Sequence, residues 1–185
     1  MKIVVAISGS SGSIYAKLLL DKLSQISSIQ CAIVMSENAR INLQLELPGF
    51  IIEDYGIKIF SISDFKAPFA SGSAKWDGMI VCPCSAGFLS KVASGLAEDL
   101  MSRAAQVMLK ERKKLVLVLR ETPFSLIHIE NMKTVSLSGG IICPAIPSFY
   151  SGAKGIEPIL STVTDRAIEL LGIESNSFQW GSHQL

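Results

Sequence analysis

Short apolar runs rich in β-branched residues recur along the chain, and between them apolar positions fall at helical spacing. This alternation constrains the fold more than any single motif. Residues 2–7, Lys2-Ile3-Val4-Val5-Ala6-Ile7, read as a strand buried on both faces. The small-residue turn Ser8-Gly9-Ser10-Ser11-Gly12 follows, then a helix through Leu18, Leu19 and Leu23. Residues 31–35 predict a second strand ending at Ser36, and 37–47 a helix with Ser36 as N-cap. A third strand is expected at 57–60 and a fourth at 78–82, punctuated by Pro83. Leu89, Val92, Ala93 and Leu96, then Leu100, Ala104, Val107 and Met108, carry a helical period that the charged stretch 110–114 closes. Residues 115–119 predict a strand, 126–137 a helix, 140–143 a last strand and 156–171 a final helix.

Repeated strand-then-helix units build a mainly parallel sheet with helices on both faces. The expected fold is one doubly wound α/β domain, Rossmann-like or flavodoxin-like, over residues 1–173. Residues 174–185 form a tail, polar apart from Phe178 and Trp180. The 185 residues suit one domain, and an apolar fraction of 49% against 18% charged supplies its core. Lys plus Arg (17) nearly balances Asp plus Glu (16), which leaves no electrostatic footprint for nucleic acid or an anionic membrane. No apolar run approaches the ~18 residues of a spanning helix. The N-terminal apolar stretch stops at Ser8-Gly9, too short for a secretory signal. Cys31, Cys82, Cys84 and Cys143, with His128 and His183, lack metal-ligand spacing and read as reduced, buried side chains, so the cytoplasm is the expected compartment. A mean hydropathy of +0.41 points to a subunit that buries more surface against copies of itself.

In such folds ligands sit at the carboxyl ends of the strands. The first end carries Gly9-Ser10-Ser11-Gly12, whose backbone can approach a phosphate or a flavin edge, or simply start a helix. The second ends in Ser36 with Glu37 one residue on, so a ribose-gripping carboxylate there stays open. The fourth carries Ser85-Ala86-Gly87-Phe88, with Ser85 as N-cap and Cys84 better read as a buried thiol than as a nucleophile. The fifth delivers Arg120-Glu121 to the rim, either a phosphate fork beside an acid/base group or a salt bridge capping the sheet. Arg103 and Lys110 share a helix face, and a solvated surface is their simpler reading. Arg166 fits a snorkelling cation and His128 a structural histidine.

Taken together, these residues resemble the flavin prenyltransferases, the UbiX-like enzymes, from about residue 2 to residue 173. The likeness rests on 7–12, Ala70-Ser71-Gly72-Ser73, Pro83-Cys84-Ser85, Arg103-Ala104-Ala105, Leu109-Lys110-Glu111-Arg112, Arg120-Glu121-Thr122-Pro123, Glu130-Asn131-Met132 and Pro147-Ser148-Phe149-Tyr150, in order. The resemblance implies transfer of a dimethylallyl group from dimethylallyl phosphate to N5 and C6 of reduced FMN, making prenylated FMN for a partner decarboxylase. Flavin contacts would come from Gly9, Ser10 and Ser11, from Ser36, from Ser85, Ala86, Gly87 and Phe88, and from Arg120. Ser11 would lie near flavin N5 and Glu121 would act as acid/base. Lys110, Arg120, Tyr150 and Arg166 would hold phosphate, with Tyr150 and Arg166 reaching a site shared between subunits, and Trp180 would cover the prenyl group. No Asp-rich magnesium motif is present, so departure of the phosphate would be metal-free. The family's assembly is a homododecamer built from trimers. Asp99, Gln106, Leu119, the 151–154 loop and Phe88 depart from its usual residues.

An FMN-dependent cysteine decarboxylase of the same superfamily is the nearest alternative, but its active-site histidine and Met-Asn clamp are not found here. A non-catalytic FMN carrier is the other, and a direct aromatic-acid decarboxylase has no recognisable decarboxylating residue.

Overall fold

The computed structural model describes residues 1–175. Six strands form one parallel sheet: β1 (Lys2–Ile7), β2 (Gln30–Met35), β3 (Lys58–Phe60), β4 (Gly78–Cys84), β5 (Lys114–Leu119) and β6 (Ile141–Ile142), in spatial order β3-β2-β1-β4-β5-β6. The order reverses between β2–β1 and β1–β4, the point at which doubly wound sheets open a crevice. β1 is central, with Val5 opposite Ile33 on one side and Ile80 on the other. Its side chains alternate between two cores, as a period of two demands. Val4 and Ala6 join Met79, Val81, Leu115 and Leu117 under one helical layer. Ile3, Val5 and Ile7 join Ile80, Val116 and Val118 under the other.

The helices are α1 (Ser13–Leu23), α2 (Glu37–Glu46), α3 (Ala86–Ala93), α4 (Leu100–Lys110), α5 (Leu126–Leu137) and α6 (Ile156–Leu170). Short 3-10 turns at Ile52–Tyr55, Pro68–Ala70 and Gly72–Ala74 were not expected. Among the described residues no helix is long and apolar enough to cross a membrane.

Two expectations are corrected. Pro83 does not end the fourth strand, which runs on to Cys84 through a register irregularity between Val81 and Cys84. The single helical period across 89–114 is two helices. Gly95, at φ +72°, takes the chain out of α3, and Asp99 restarts it as N-cap of α4. A phase match across the break hid it, because both helices present apolar faces to the same core. Two departures from the family pattern are satisfied here as well: Gln106 Nε2 donates to the Val92 carbonyl at 3.0 Å, and Asp99 accepts from the Ser102 amide at 2.8 Å.

Asp99 also receives Lys91 Nζ at 3.0 Å. Burial alone would raise its carboxyl pKa, but the Ser102 amide and hydroxyl and the Lys91 ammonium outweigh it and hold it below the usual range. Asp99→Ala is predicted to lower the unfolding free energy by about 1–2 kcal/mol at neutral pH, read by urea denaturation. Because the folded pKa is depressed, Asp99's contribution is complete above its unfolded value near ~4 and disappears as pH falls through the folded one. The gap between wild type and variant should therefore close in acid; a gap that persisted there would remove the charge from the explanation.

Candidate active site

The carboxyl ends of β1, β2, β4 and β5 gather around the turn between β1 and α1. Ser8, buried, clamps β1 to β4. Its amide and Oγ donate to the Pro83 carbonyl at 3.2 and 2.9 Å, and Oγ accepts the Ser85 amide at 2.6 Å. Ser10 Oγ donates to the Arg120 carbonyl at 2.8 Å, and the Arg120 amide donates to the Cys84 carbonyl at 2.9 Å. The turn and the ends of β4 and β5 are thus one hydrogen-bonded unit.

Helix α2 lies across that turn. At its start Gly9 packs against Asn38 so closely that a Cβ on Gly9 would come within 2.6 Å of Asn38 Cβ. At its end Glu46 accepts the amides of Gly12 and Ser13 at 2.8 and 2.7 Å, and the hydroxyls of Ser11 and Ser13. Burial pushes the Glu46 carboxyl up, yet these donors at the positive end of α1 hold it below its ordinary value. Gly12, the N-cap of α1, has no side chain to cap with, so a carboxylate from another helix does it. Sequence reasoning missed Glu46, because the contact is 34 residues from Gly12 and no local spacing marks it.

Ser36 and Ser85 are N-caps, accepting the Ala39 and Phe88 amides at 3.1 and 3.2 Å. The first amides of α2 and α3 are left facing the crevice without helical partners. A Cβ on Gly87 would meet only Ser85 Oγ, at 4.0 Å, so a ligand can lie directly against this backbone. The Phe88 ring is in the core, its amide donates to Ser85 Oγ and the Ser85 amide to Ser8 Oγ, so the amides of Ala86 and Gly87 are the ones left open at the start of α3.

Arg120 is exposed at the end of β5, forms no ion pair among the described residues, and has its Cγ 4.0 Å from where a Gly12 Cβ would stand. The expected alternative of an Arg120–Glu121 salt bridge is not formed. Glu121 Oε1 instead accepts the Thr122 amide at 3.0 Å. Beyond β6, Tyr150 and Arg166 line a cavity of about 480 Å³ with Ser148 and Thr162. Arg166 Nη1 reaches Glu169 at 3.3 Å.

Lys110 is not brought to this edge. It ends α4, paired with Glu111, before β5 begins, so it sits at the opposite edge of the sheet from Arg120, roughly 20 Å away at strand rise. On the same helix Arg103 is tied down, its Nε donating to the Ala70 carbonyl at 3.0 Å. Trp180 lies outside the described residues. Cys84 is fully buried, and burial pushes its thiol pKa up, away from a thiolate. His128 closes the capping box of α5, its Nδ1 accepting the Ser125 amide at 3.2 Å, a structural role.

The flavoprotein family model matches residues 1–167. Among curated relatives, the flavin prenyltransferase UbiX of Methanocaldococcus jannaschii is 39% identical over 183 residues, 98% of this chain and 100% of that protein. The chain belongs to the UbiX-like flavin prenyltransferases. Two solved relatives superpose on it at 36% identity. A dodecameric FMN-dependent UbiX-like decarboxylase from Escherichia coli O157:H7 does so with a TM-score of 0.92, covering 97% of this chain and 99% of that one. AnUbiX (PadA1), in complex with FMN and dimethylallyl pyrophosphate, gives 0.89 over 96% and 98%. Within this family fold, the Ser8 clamp positions the α3 amides. Ser8→Ala, which strips the Ser85 amide of its buried acceptor, is predicted to cost about 1–3 kcal/mol in a denaturation series. It should also weaken FMN binding, and unchanged flavin affinity would separate the clamp from the site.

Proposed function

We propose that the chain is a metal-independent flavin prenyltransferase, joining the dimethylallyl group of dimethylallyl phosphate to N5 and C6 of reduced FMN and delivering prenylated FMN to a decarboxylase. The observation that carries this reading is the carboxyl edge itself. A donor-rich turn and the first amides of α2 and α3 lie beside Arg120, which has no ion-pair partner among the described residues, and the Tyr150–Arg166 cavity opens past the neighbouring strand. These groups fit FMN: backbone donors and hydroxyls suit its polar edge and phosphate, and the open space over Gly87 admits a flat ring. Reduced FMN, once bound, supplies the nucleophilic N5.

The protein's part is positional and electrostatic. Gly9, Ser10, Ser11, Ser36, Ser85, Ala86, Gly87 and Arg120 orient the flavin. Ser11, whose hydroxyl donates its proton to Glu46, offers an accepting oxygen to the reacting edge. Arg120, Arg166 and Tyr150 take up the charge that grows on the departing phosphate, a stabilisation strongest where water is excluded. Glu121 carries the ring proton away and serves the leaving phosphate. Trp180 completes the cover of the prenyl pocket. The prenyl domain spans 1–173 with 174–185 as its tail, and the buried thiols suit a reducing cytoplasm.

A single chain leaves Lys110 on the wrong edge, so its place in the phosphate set requires a neighbouring subunit. The surface agrees. Leu126, Ile127, Leu137, Ile146, Phe149 and Ile156 are each more than 70% exposed, a large apolar face for one chain to leave in water. A homododecamer covers such faces and brings one chain's α4 terminus to another's carboxyl edge.

Three outcomes are predicted. Anaerobic incubation with reduced FMN and dimethylallyl phosphate should add one C5H8 unit to the flavin by mass spectrometry. Unmodified FMN would leave the carrier reading in place. Glu121→Gln should bind FMN normally while turnover drops at least a hundredfold, and retained turnover removes Glu121 from acid/base work. Lys110→Ala and Arg120→Ala chains, each inactive alone, should regain roughly a quarter of the sites when unfolded together and reassembled, if those residues meet across subunits. No recovery would place Lys110 outside the site.

A further inference from the structure

Tyr15 stands on the first turn of α1, and its amide donates to the Gly12 carbonyl at 2.9 Å. Its side chain is only 7% exposed and packs in the layer that holds Ile7, Cys82 and Val118. One edge of the ring covers Gly12. A Cβ on Gly12 would come within 3.0 Å of Tyr15 Cδ2 and 3.4 Å of Cε2, with Arg120 Cγ at 4.0 Å. The Tyr15 ring and the Arg120 stem thus meet over a residue that must stay bare, and whose φ of +108° favours glycine as well.

A buried tyrosine ordinarily spends its hydroxyl on a partner. Tyr55 does so, donating to Asp21 at 2.5 Å. The Tyr15 hydroxyl forms no hydrogen bond among the described residues, yet it is not sealed in. Asn131 Nδ2 is the one buried side-chain nitrogen or oxygen among them without a partner, so the Tyr15 oxygen keeps an opening to solvent. Burial pushes the phenol pKa up and the neighbouring Cys82 thiol adds to this, while the positive charge of Arg120 pulls the other way. At neutral pH the group is therefore a proton donor within the field of Arg120. Glu46 already takes the Gly12 and Ser13 amides and the Ser13 hydroxyl. The Tyr15 hydroxyl is the side-chain donor that this first turn still offers. A guanidinium with a protonated phenol beside it suits a phosphate monoester, the one supplying charge and the other a directional hydrogen bond. FMN and dimethylallyl phosphate each carry such a group.

We propose that the Tyr15 hydroxyl is a further ligand-contacting group of this site, donating to the phosphate monoester that Arg120 holds. The proposal rests on the flavin prenyltransferase reading and adds a donor from α1 to the set of Arg120, Arg166 and Tyr150.

The test uses Tyr15→Phe, which keeps the ring over Gly12 and removes only the oxygen. Because that oxygen has no partner in the described chain, the urea midpoint should not move; a clear drop would reveal a structural role and overturn the proposal. Dissociation constants are read for FMN and riboflavin by flavin fluorescence quenching. Those for dimethylallyl phosphate come from calorimetry on the complex with oxidised FMN, which lacks a nucleophilic N5 and does not turn over. One phosphate ester should bind about tenfold or more weaker, the loss of a hydrogen bond to a charged group, with riboflavin changed less than twofold. A loss for FMN assigns the hydroxyl to the flavin's phosphate, and a loss for dimethylallyl phosphate at unchanged FMN affinity assigns it to the donor's. Arg120→Ala supplies a second readout. If both side chains hold one phosphate, the double variant should lose less than the product of the two single losses. Fully multiplicative losses, unchanged affinities, or riboflavin weakened as much as FMN each overturn the proposal and leave the flavin reading intact. Wild-type protein that binds neither FMN nor dimethylallyl phosphate overturns both.

Discussion

The parallel pairing of β1 with β2 on one side and β4 on the other is the constraint on which the rest depends. Chain direction across the sheet reverses at β1, so the turns leaving β1 and β4 diverge to opposite faces and a crevice opens between them. Burial of β1 on both faces fixes its register, because a slip of one residue would move Val5 into the layer built for Val4. That register puts Ser8 level with Pro83, where one buried hydroxyl satisfies a carbonyl and an amide of the neighbouring strand end. The position of the α3 amides, and of Arg120 through the Cys84 carbonyl, follows from it.

The chain spreads its cations rather than clustering them. Arg120 ends β5, Arg166 is in α6, and Lys110 ends α4 at the other edge. Placed together in one unliganded subunit they would repel, and the fold would have to carry that repulsion. Separated, Lys110 and Arg166 rest against Glu111 and Glu169, part-exposed pairs of the kind that contribute little stability.

How much of this was legible in the sequence depends on the range of each contact. The strands, the Gly9–Gly12 turn and the serine caps could be read because their causes are local: continuous apolar runs, a small-residue cluster, a hydroxyl three residues before an amide. The break at Gly95 could not, since α3 and α4 face the same core and their periods run in phase across it. Pro83 misled for a related reason. Its carbonyl, not its missing N–H, is what the sheet edge uses, through Ser8. Glu46 was invisible because it acts at a distance on a helix with no cap of its own. The edge to which Lys110 belongs becomes clear only once α4 is seen to run back toward the start of β5.

Glu46 decides where an anionic ligand can go. An uncapped helix start beside a glycine-rich turn is ordinarily the most favourable phosphate receptor in such a fold, and here a carboxylate already holds its amides at 2.7–2.8 Å. A phosphate offered to α1 would have to displace a carboxylate that already accepts two backbone amides and two hydroxyls. The amides of α2 and α3 and the Arg120 guanidinium are what this edge leaves open to negative charge, while the Ser11 hydroxyl is already bonded to Glu46. One side chain thus closes the helix, occupies the amides a phosphate would otherwise use and fixes the Ser11 hydroxyl. That is why a residue absent from every local motif controls the geometry of the site.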